Sequence, residues 1–322
     1  MRRHRTAAGI LLAVGALLTG ALSATSADAA PAPSPAPTVF KQRQPQGFWT
    51  AERMRGATPL DLIQVTPGAV RPARPAGRET VVPPTAASAK SVGPTAFPQA
   101  GGAWTGGGAV PKTSGRVFFT FQGRTASCSG DSVTSKNGST VITAGHCVKY
   151  QGSWHTNWVF VPGYTNGQAP YGQWSATQTL STPQWVASED INYDVGAAVV
   201  APLGGQTLAA TVGAQGLSFN GGYNKPMYAF GFPAASPYDG TKLIYCSGNS
   251  SKDFLLTQDH SLGCNMTGGS SGGPWFTSFS EATGTGLQAS VNSFGYVFLP
   301  NRMFGPYFGN DAMAVYDKAQ AS

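Results

Sequence analysis

The chain has 322 residues, 41% of them hydrophobic, with 21 Lys and Arg against 14 Asp and Glu for a net charge of +7; this is enough apolar material for a core of ordinary size. Its 42 glycines follow no three-residue period and its four cysteines are too few to be its main support, so collagen-like and disulfide-scaffold classes are excluded. Eleven of the basic and four of the acidic side chains lie in residues 1–100, which leaves ten of each in 101–322 and removes the motive for a nucleic-acid partner.

The N-terminus reads Met1-Arg2-Arg3-His4-Arg5, then an uncharged apolar stretch over 7–24, then Ala27-Asp28-Ala29. That is a three-part export signal over residues 1–29, with cleavage expected after Ala29. The stretch is almost long enough to be a membrane anchor, but its small residues and the Ala-x-Ala site favour removal, so no stable membrane anchor is expected. Residues after Arg2-Arg3 fit a twin-arginine pattern poorly, and the export route stays open.

Residues 30–108 are Pro-rich, Ala-rich and basic, and 13 of the 24 prolines fall in the first 100 residues. Proline lacks a backbone donor and has a fixed φ, so this segment is expected to supply few sheet hydrogen bonds and to act as a linker or propeptide. Trp49, Met54 and Leu60 recur at loosely helical spacing, which predicts a helical turn or two within 48–63 and a small apolar patch able to dock on a neighbouring domain.

From residue 101 the pattern changes to short β-rich runs separated by glycine, including Arg116-Val117-Phe118-Phe119-Thr120-Phe121, Trp158-Val159-Phe160-Val161 and Met227-Tyr228-Ala229-Phe230. This predicts an all-β barrel or sandwich. At the end, Asn310-Asp311 before Ala312, Met313, Val315, Tyr316 and Ala319 predicts a capped amphipathic helix.

Three segments of this β-rich part carry chemistry: Thr143-Ala144-Gly145-His146-Cys147, Tyr193-Asp194-Val195-Gly196-Ala197 and Gly268-Gly269-Ser270-Ser271-Gly272-Gly273-Pro274. Serine acyl transfer needs a hydroxyl, an imidazole to take its proton, a carboxylate to hold the imidazole and donors for the developing oxyanion. Ser271, His146 and Asp194 supply the first three, and the N–H groups of Gly269 and Ser271 are the candidate oxyanion donors. The serine string alone would be an ordinary flexible turn, and it also fits the nucleophile elbow of an α/β-hydrolase. Chain order rejects the elbow, because no histidine follows Ser271. A subtilisin order through Asp131 lacks support around Asp131. Asp190 competes with Asp194, but only Asp194 leads directly into the apolar run Val195 to Val200.

Taken in that order, the three segments resemble the chymotrypsin-like serine peptidases, in particular the bacterial branch that includes glutamyl endopeptidases, over roughly 110–322. Gly145 stands for the second Ala of the family's Thr-Ala-Ala-His-Cys, and Gly269 to Pro274 resembles its Gly-Asp-Ser-Gly-Gly-Pro. The resemblance implies two six-stranded antiparallel β-barrels with a C-terminal helix over 109–322, preceded by the signal peptide and a prosegment. It implies a secreted serine endopeptidase acting on proteins or peptides, monomeric, with its own propeptide as partner and no cofactor. The alternatives are a catalytically silent binding protein on the same fold and an esterase.

The resemblance pairs Cys128 with Cys147, and with that Cys246 with Cys264; from the residues alone three connectivities are open. It places Asn265 at the base of the pocket for the side chain preceding the cut, with Thr267 beside it, and Asn292-Ser293-Phe294-Gly295 along the strand that pairs with the substrate backbone. Asn265 argues against a preference for Arg or Lys, and Asn292 stands where Glu-cutting members have His. Ser270 replaces an Asp that in the animal enzymes binds the new N-terminal amine, so an ion-pair activation switch is not expected. His155 is expected in a loop, and His260 and Arg302 at the surface. Neither histidine has a partner at metal-ligand spacing, so no zinc site is expected.

Overall fold

The strand Ser114–Phe121 sends Val117 and Phe119 into one core cluster and Phe118 into another, the alternation of an extended chain whose two faces are both covered. Its pairing with Arg124–Val133 opens a circuit through Thr140–Thr143, Gly196–Val200, Trp174–Ser181 and Thr156–Pro162 that returns to Ser114–Phe121. Every pairing in this ring is antiparallel, and the six strands close into a barrel. The computed structural model describes Met1 and residues 34–43, 47–65, 77–85 and 96–322. The expected signal peptide lies outside the described residues apart from Met1. The chain divides into a short unit, Met1–Ala32, and one compact unit, Pro33–Ser322.

After the first barrel the chain builds two further sheets. One has the order Thr80–Val82, Gly216–Phe219, Thr285–Val291, Pro274–Ser280, Pro226–Gly231, Ile244–Asn249, Gln99–Ala103; the other runs Ser251–Lys252, His260–Gly263, Arg302–Gly305, Phe294–Tyr296, Ile63–Val65. The two share a core in which Met227, Ala229 and Trp275 of the first meet Leu262 and Met303 of the second. The all-β two-barrel fold stands, although hydrogen bonds close only its first barrel and the pairing of Gly216 with Leu287 is parallel.

The Pro-rich leader departs from expectation. Among the described residues it supplies five short strands, Thr38–Lys41, Thr58–Pro59, Ile63–Val65, Thr80–Val82 and Gln99–Ala103, each laid on a strand of the body. Each is at most five residues long, with Pro59 the one proline inside a strand, and the strand stretches they meet offer unpaired N–H and C=O groups. The expected helical turn is Ala51–Arg55, where Thr50 Oγ1 accepts from the Arg53 N–H at 3.2 Å. Trp49, Met54 and Ala57 cover Phe118, Val159 and Val161 on the outer face of the first barrel, and burying side chains of the size of Trp49 and Met54 stabilises by roughly 1.5–3 kcal/mol each.

The C-terminal helix Asn310–Gln320 packs Ala312, Val315, Tyr316 and Ala319 into the first barrel's core cluster. Its cap differs from the sequence reading: Gly309 is the N-cap and gives no side-chain bond. Asn310 Oδ1 instead accepts from Asn220 Nδ2 at 2.9 Å, and Asp311 Oδ1 from Gln184 Nε2 at 2.9 Å.

Candidate active site

Strand register brings His146 and Asp194 together. Thr143 pairs with Gly196, so the turn Gly145–Cys147, just past the end of one strand, faces Asp194, just before the start of the next. Asp194 Oδ1 accepts the backbone N–H of His146 at 2.7 Å, and Oδ2 accepts His146 Nδ1–H at 2.7 Å. A proton on Nδ1 leaves Nε2 as an acceptor. Ser293 Oγ, from the second half, donates to the same Oδ2 at 2.6 Å. Asp194 and His146 are fully buried. Asp190 serves elsewhere and caps the turn before Asp194, its Oδ1 accepting from the Asn192 N–H at 3.2 Å. Gly145, where the family pattern has Ala, lies against Trp185 and Asp194; a Cβ there would come within 2.8 Å of the Trp185 ring and 2.9 Å of Asp194 Oδ1.

Ser271 lies in the loop between the strands His260–Gly263 and Pro274–Ser280. The loop is clamped to the first barrel by Ser129, a residue the sequence did not single out. Its N–H donates to Ser271 O at 2.7 Å, and its Oγ donates to Gly269 O at 2.9 Å and accepts from the Phe232 N–H at 2.9 Å. Thr143 Oγ1 in turn donates to Ser129 O at 2.8 Å. Gly272 has φ +78°, and a Cβ on it would stand 2.0 Å from Thr143 Oγ1 and 2.6 Å from Ser129 O, so the loop seats this closely only with glycine there. The disulfide Cys128–Cys147 ties the neighbour of Ser129 to the neighbour of His146. The other disulfide is Cys246–Cys264. Ser271 Oγ and His146 Nε2 are both buried without a hydrogen-bond partner among the described residues; hydrogen bonds of this kind often tighten only when substrate is present.

The Gly269 N–H donates to the carbonyl of the leader residue Leu60 at 2.9 Å. Asn265, Thr267 and Gly295 line a cleft of about 530 Å³ together with Met303, Arg302 and the leader residue Leu62. Asn265 Oδ1 accepts from Tyr238 Oη at 2.5 Å. The other expected pocket residues point elsewhere. Asn292 is buried, its Nδ2 donating to Phe230 O and Ser270 O and its Oδ1 accepting from Trp275 Nε1. The Phe294 ring packs with Val65, Trp185, Ile191 and Phe304, because alternate residues of a strand face opposite ways. Ser270 Oγ donates locally to Thr267 O at 2.7 Å.

Two histidines are buried: His155, in the short connection between Ser153–Trp154 and Thr156–Pro162, and His260, which the sequence placed at the surface. His155 is fully buried, stacked on Phe119 with ring centroids 4.2 Å apart, and its Nε2–H donates to the carbonyl of His146 at 2.8 Å. Burial pulls its pKa down to about 3. His260, expected at the surface, is buried against Tyr223 and Tyr307 and is likewise lowered to about 3 by burial, so it supplies no cation near neutral pH. Arg302 is partly buried, its Nη2 donating to Ser261 Oγ at 2.7 Å and Ser251 Oγ at 3.0 Å.

A buried carboxylate on an imidazole, beside a glycine-flanked serine loop in a two-barrel β-fold, belongs to the class of chymotrypsin-like serine proteases. No family model matches the chain, but solved structures do. The protease Anisep from Arthrobacter nicotinovorans is 43% identical, with a TM-score of 0.64 over 69% of this chain and 100% of that one. The thermostable serine protease AL20 from an extremophilic microorganism is 39% identical, with a TM-score of 0.63 over 66% of this chain and 99% of that one. A Glu endopeptidase structure shares the fold at 16% identity and a TM-score of 0.56, over 69% of this chain and 97% of that one. The chain belongs to the chymotrypsin-like serine protease family, alongside bacterial members. A curated relative, the extracellular metalloprotease of Bacillus subtilis (strain 168), is 29% identical over 180 residues. The chain spans about half the length of that relative, 54%. The grouping that metal chemistry would use among the described residues, Cys128, His146 and Cys147, does not fit an ion: both sulfurs are in a disulfide and His146 Nδ1 is held by Asp194.

Proposed function

We propose that the protein is an exported serine endopeptidase made as a precursor, with His146, Asp194 and Ser271 as its catalytic residues. The observation that carries this reading is the pair of 2.7 Å bonds from Asp194 to His146, which leave Nε2 free for a hydroxyl proton. Ser271 Oγ attacks the scissile carbonyl carbon while Nε2 takes its proton. The carbonyl oxygen, now an anion, is met by the N–H groups of Gly269 and Ser271. His146 then gives the proton to the leaving amine, and water repeats the sequence on the acyl-enzyme. Asp194 holds the tautomer and steadies the imidazolium, and Ser293 fixes the carboxylate.

Ser271→Ala is expected to lower kcat on casein by about a million-fold, with folding unchanged; full activity in that variant overturns the assignment. A phosphonate should label Ser271 and abolish activity, and a chelator should leave it unchanged. Export and removal of the leader are tested by N-terminal sequencing of secreted, active protein: an intact leader on fully active enzyme defeats the precursor reading.

A further inference from the structure

Ser271 and His146 have no solvent exposure, although a peptidase must admit a chain to both. A segment of the leader runs past them, bonded to their neighbours Gly269 and Ser293. Thr58 and Pro59 run parallel to Ala126 and Ser127 on the first barrel, and the Leu60 N–H donates to Ser127 O at 2.9 Å. The Leu60 carbonyl then accepts the Gly269 N–H at 2.9 Å, a distance at which a donor meets an oxyanion. Leu62 packs against the cluster that holds Cys264, Met266 and Met303 and lines the substrate cleft. The Ile63 N–H donates to Ser293 O at 3.3 Å, and residues 63–65 run parallel to Phe294–Tyr296.

We propose that residues 60–65 are a built-in inhibitor that occupies the substrate cleft backwards, with the Leu60 carbonyl in the oxyanion site and the Leu62 side chain at the pocket. The direction is what protects it from being cut. Hydrolysis requires that the amide nitrogen following the captured carbonyl be on the side of His146, which must protonate it as it leaves. Here the residues before Leu60 lie on the first barrel, which carries His146, and the nitrogen after it, that of Asp61, begins the segment leading along Phe294–Tyr296 in the second half. Acyl and leaving sides are exchanged, so the segment takes up the binding groups without presenting a bond that can be broken. This inference rests on the peptidase reading and names the partner of that same cleft.

The test uses the full-length chain, its leader verified intact by mass, and reads the rate at which a phosphonate labels Ser271. Ile63→Pro removes the N–H given to Ser293 O, and Leu62→Asp places a carboxylate against Met266 and Met303. Either variant should label about tenfold faster than wild type; Leu62→Ala, which only shortens the side chain and leaves folding least disturbed, should label about threefold faster. Equal rates in all intact chains overturn the proposal. So does a cut at the Leu60–Asp61 bond that appears in wild type and is absent in Ser271→Ala. Faster labelling of the variants by a protein that, leader removed, leaves casein uncut supports the plug and defeats the peptidase reading; casein hydrolysis with equal labelling rates does the reverse.

Discussion

In the first barrel each strand finds both neighbours inside the ring, and leader strands pair with it only where a strand runs past its partner: Thr38–Lys41 with Gln178 to Ser181, and Thr58–Pro59 with Ala126 and Ser127; Trp49, Met54 and Ala57 add side-chain cover on its outer face. The second half ends in open edges, and leader strands take three of them: Thr80–Val82 beside Gly216–Phe219, Gln99–Ala103 beside Ile244–Asn249, and Ile63–Val65 beside Phe294–Tyr296. An open edge is a row of unmet donors and acceptors, so it accepts a strand along its length, while the closed ring takes one only at an overhang. The ring beside His146 and Asp194 is therefore closed by its own strands, while the sheets of the half that supplies Ser271 are extended at their edges by the leader. The two halves meet at Asp194, which takes His146 from one and Ser293 from the other.

The largest effect should follow from that junction. Asp194→Asn keeps the shape of the closed barrel but reverses the preferred tautomer of His146; kcat should fall about ten-thousandfold with little change in melting temperature. A large fall in melting temperature instead would mean that the first barrel is not complete in itself. Next come the two disulfides, whose loops are nearly equal at 19 and 18 residues and which should each contribute about 3 kcal/mol on loop-closure grounds. Urea melts of Cys128→Ala/Cys147→Ala and Cys246→Ala/Cys264→Ala should agree within error. The pairs should separate in hydrogen exchange, with the second pair loosening Ile244–Asn249 and the first leaving its ring protected.

The two halves can also be compared through their pH dependence. His155 in the first barrel and His260 in the second half are both lowered to about 3. Their folded states bind fewer protons than the unfolded chain, so stability is full above pH 6.5 and falls as pH drops toward 3, by about 1.4 kcal/mol per unit for each. Asp131 has the opposite sign. Burial raises it to about 8, so its contribution is full below pH 3.8 and is lost as pH rises through 8. His260→Phe should halve the acid slope in urea melts between pH 6 and 4, and Asp131→Asn should remove the alkaline decline. An unchanged acid slope in His260→Phe would show that this histidine is not held neutral by its place between Tyr223 and Tyr307.

What was legible in the sequence followed how locally each feature is encoded. His146, Asp194 and Ser271 sit in contiguous segments whose order selects one constellation, and strand register then does the assembling. Ser129 carried no signal, since a serine after a cysteine gains its role only when Gly269 and Ser271 arrive from 140 residues away or more. His155 does lie in a connection between strands, but its burial left no local trace, because Ser153 and Thr156 flank it and the rings that cover it, Phe119 and Phe121, belong to a strand distant in sequence. Asn292 was placed by motif position at the pocket, but its side chain faces the interior, where it braces Trp275 and the Ser270 carbonyl. The leader strands were hidden by composition: runs of two to five residues in a proline-rich segment are too short to show a period.

Residues 60–65 are part of the chain they cover, so their contacts form at an effective concentration on the order of millimolar. Once the chain beyond them is cut, the same contacts hold only at the protein's own concentration. For the proposed inhibitor, dilution into the surrounding volume then becomes the step that frees the cleft, and the onset of proteolysis would depend on how much space the released molecules enter as well as on when they are cleaved.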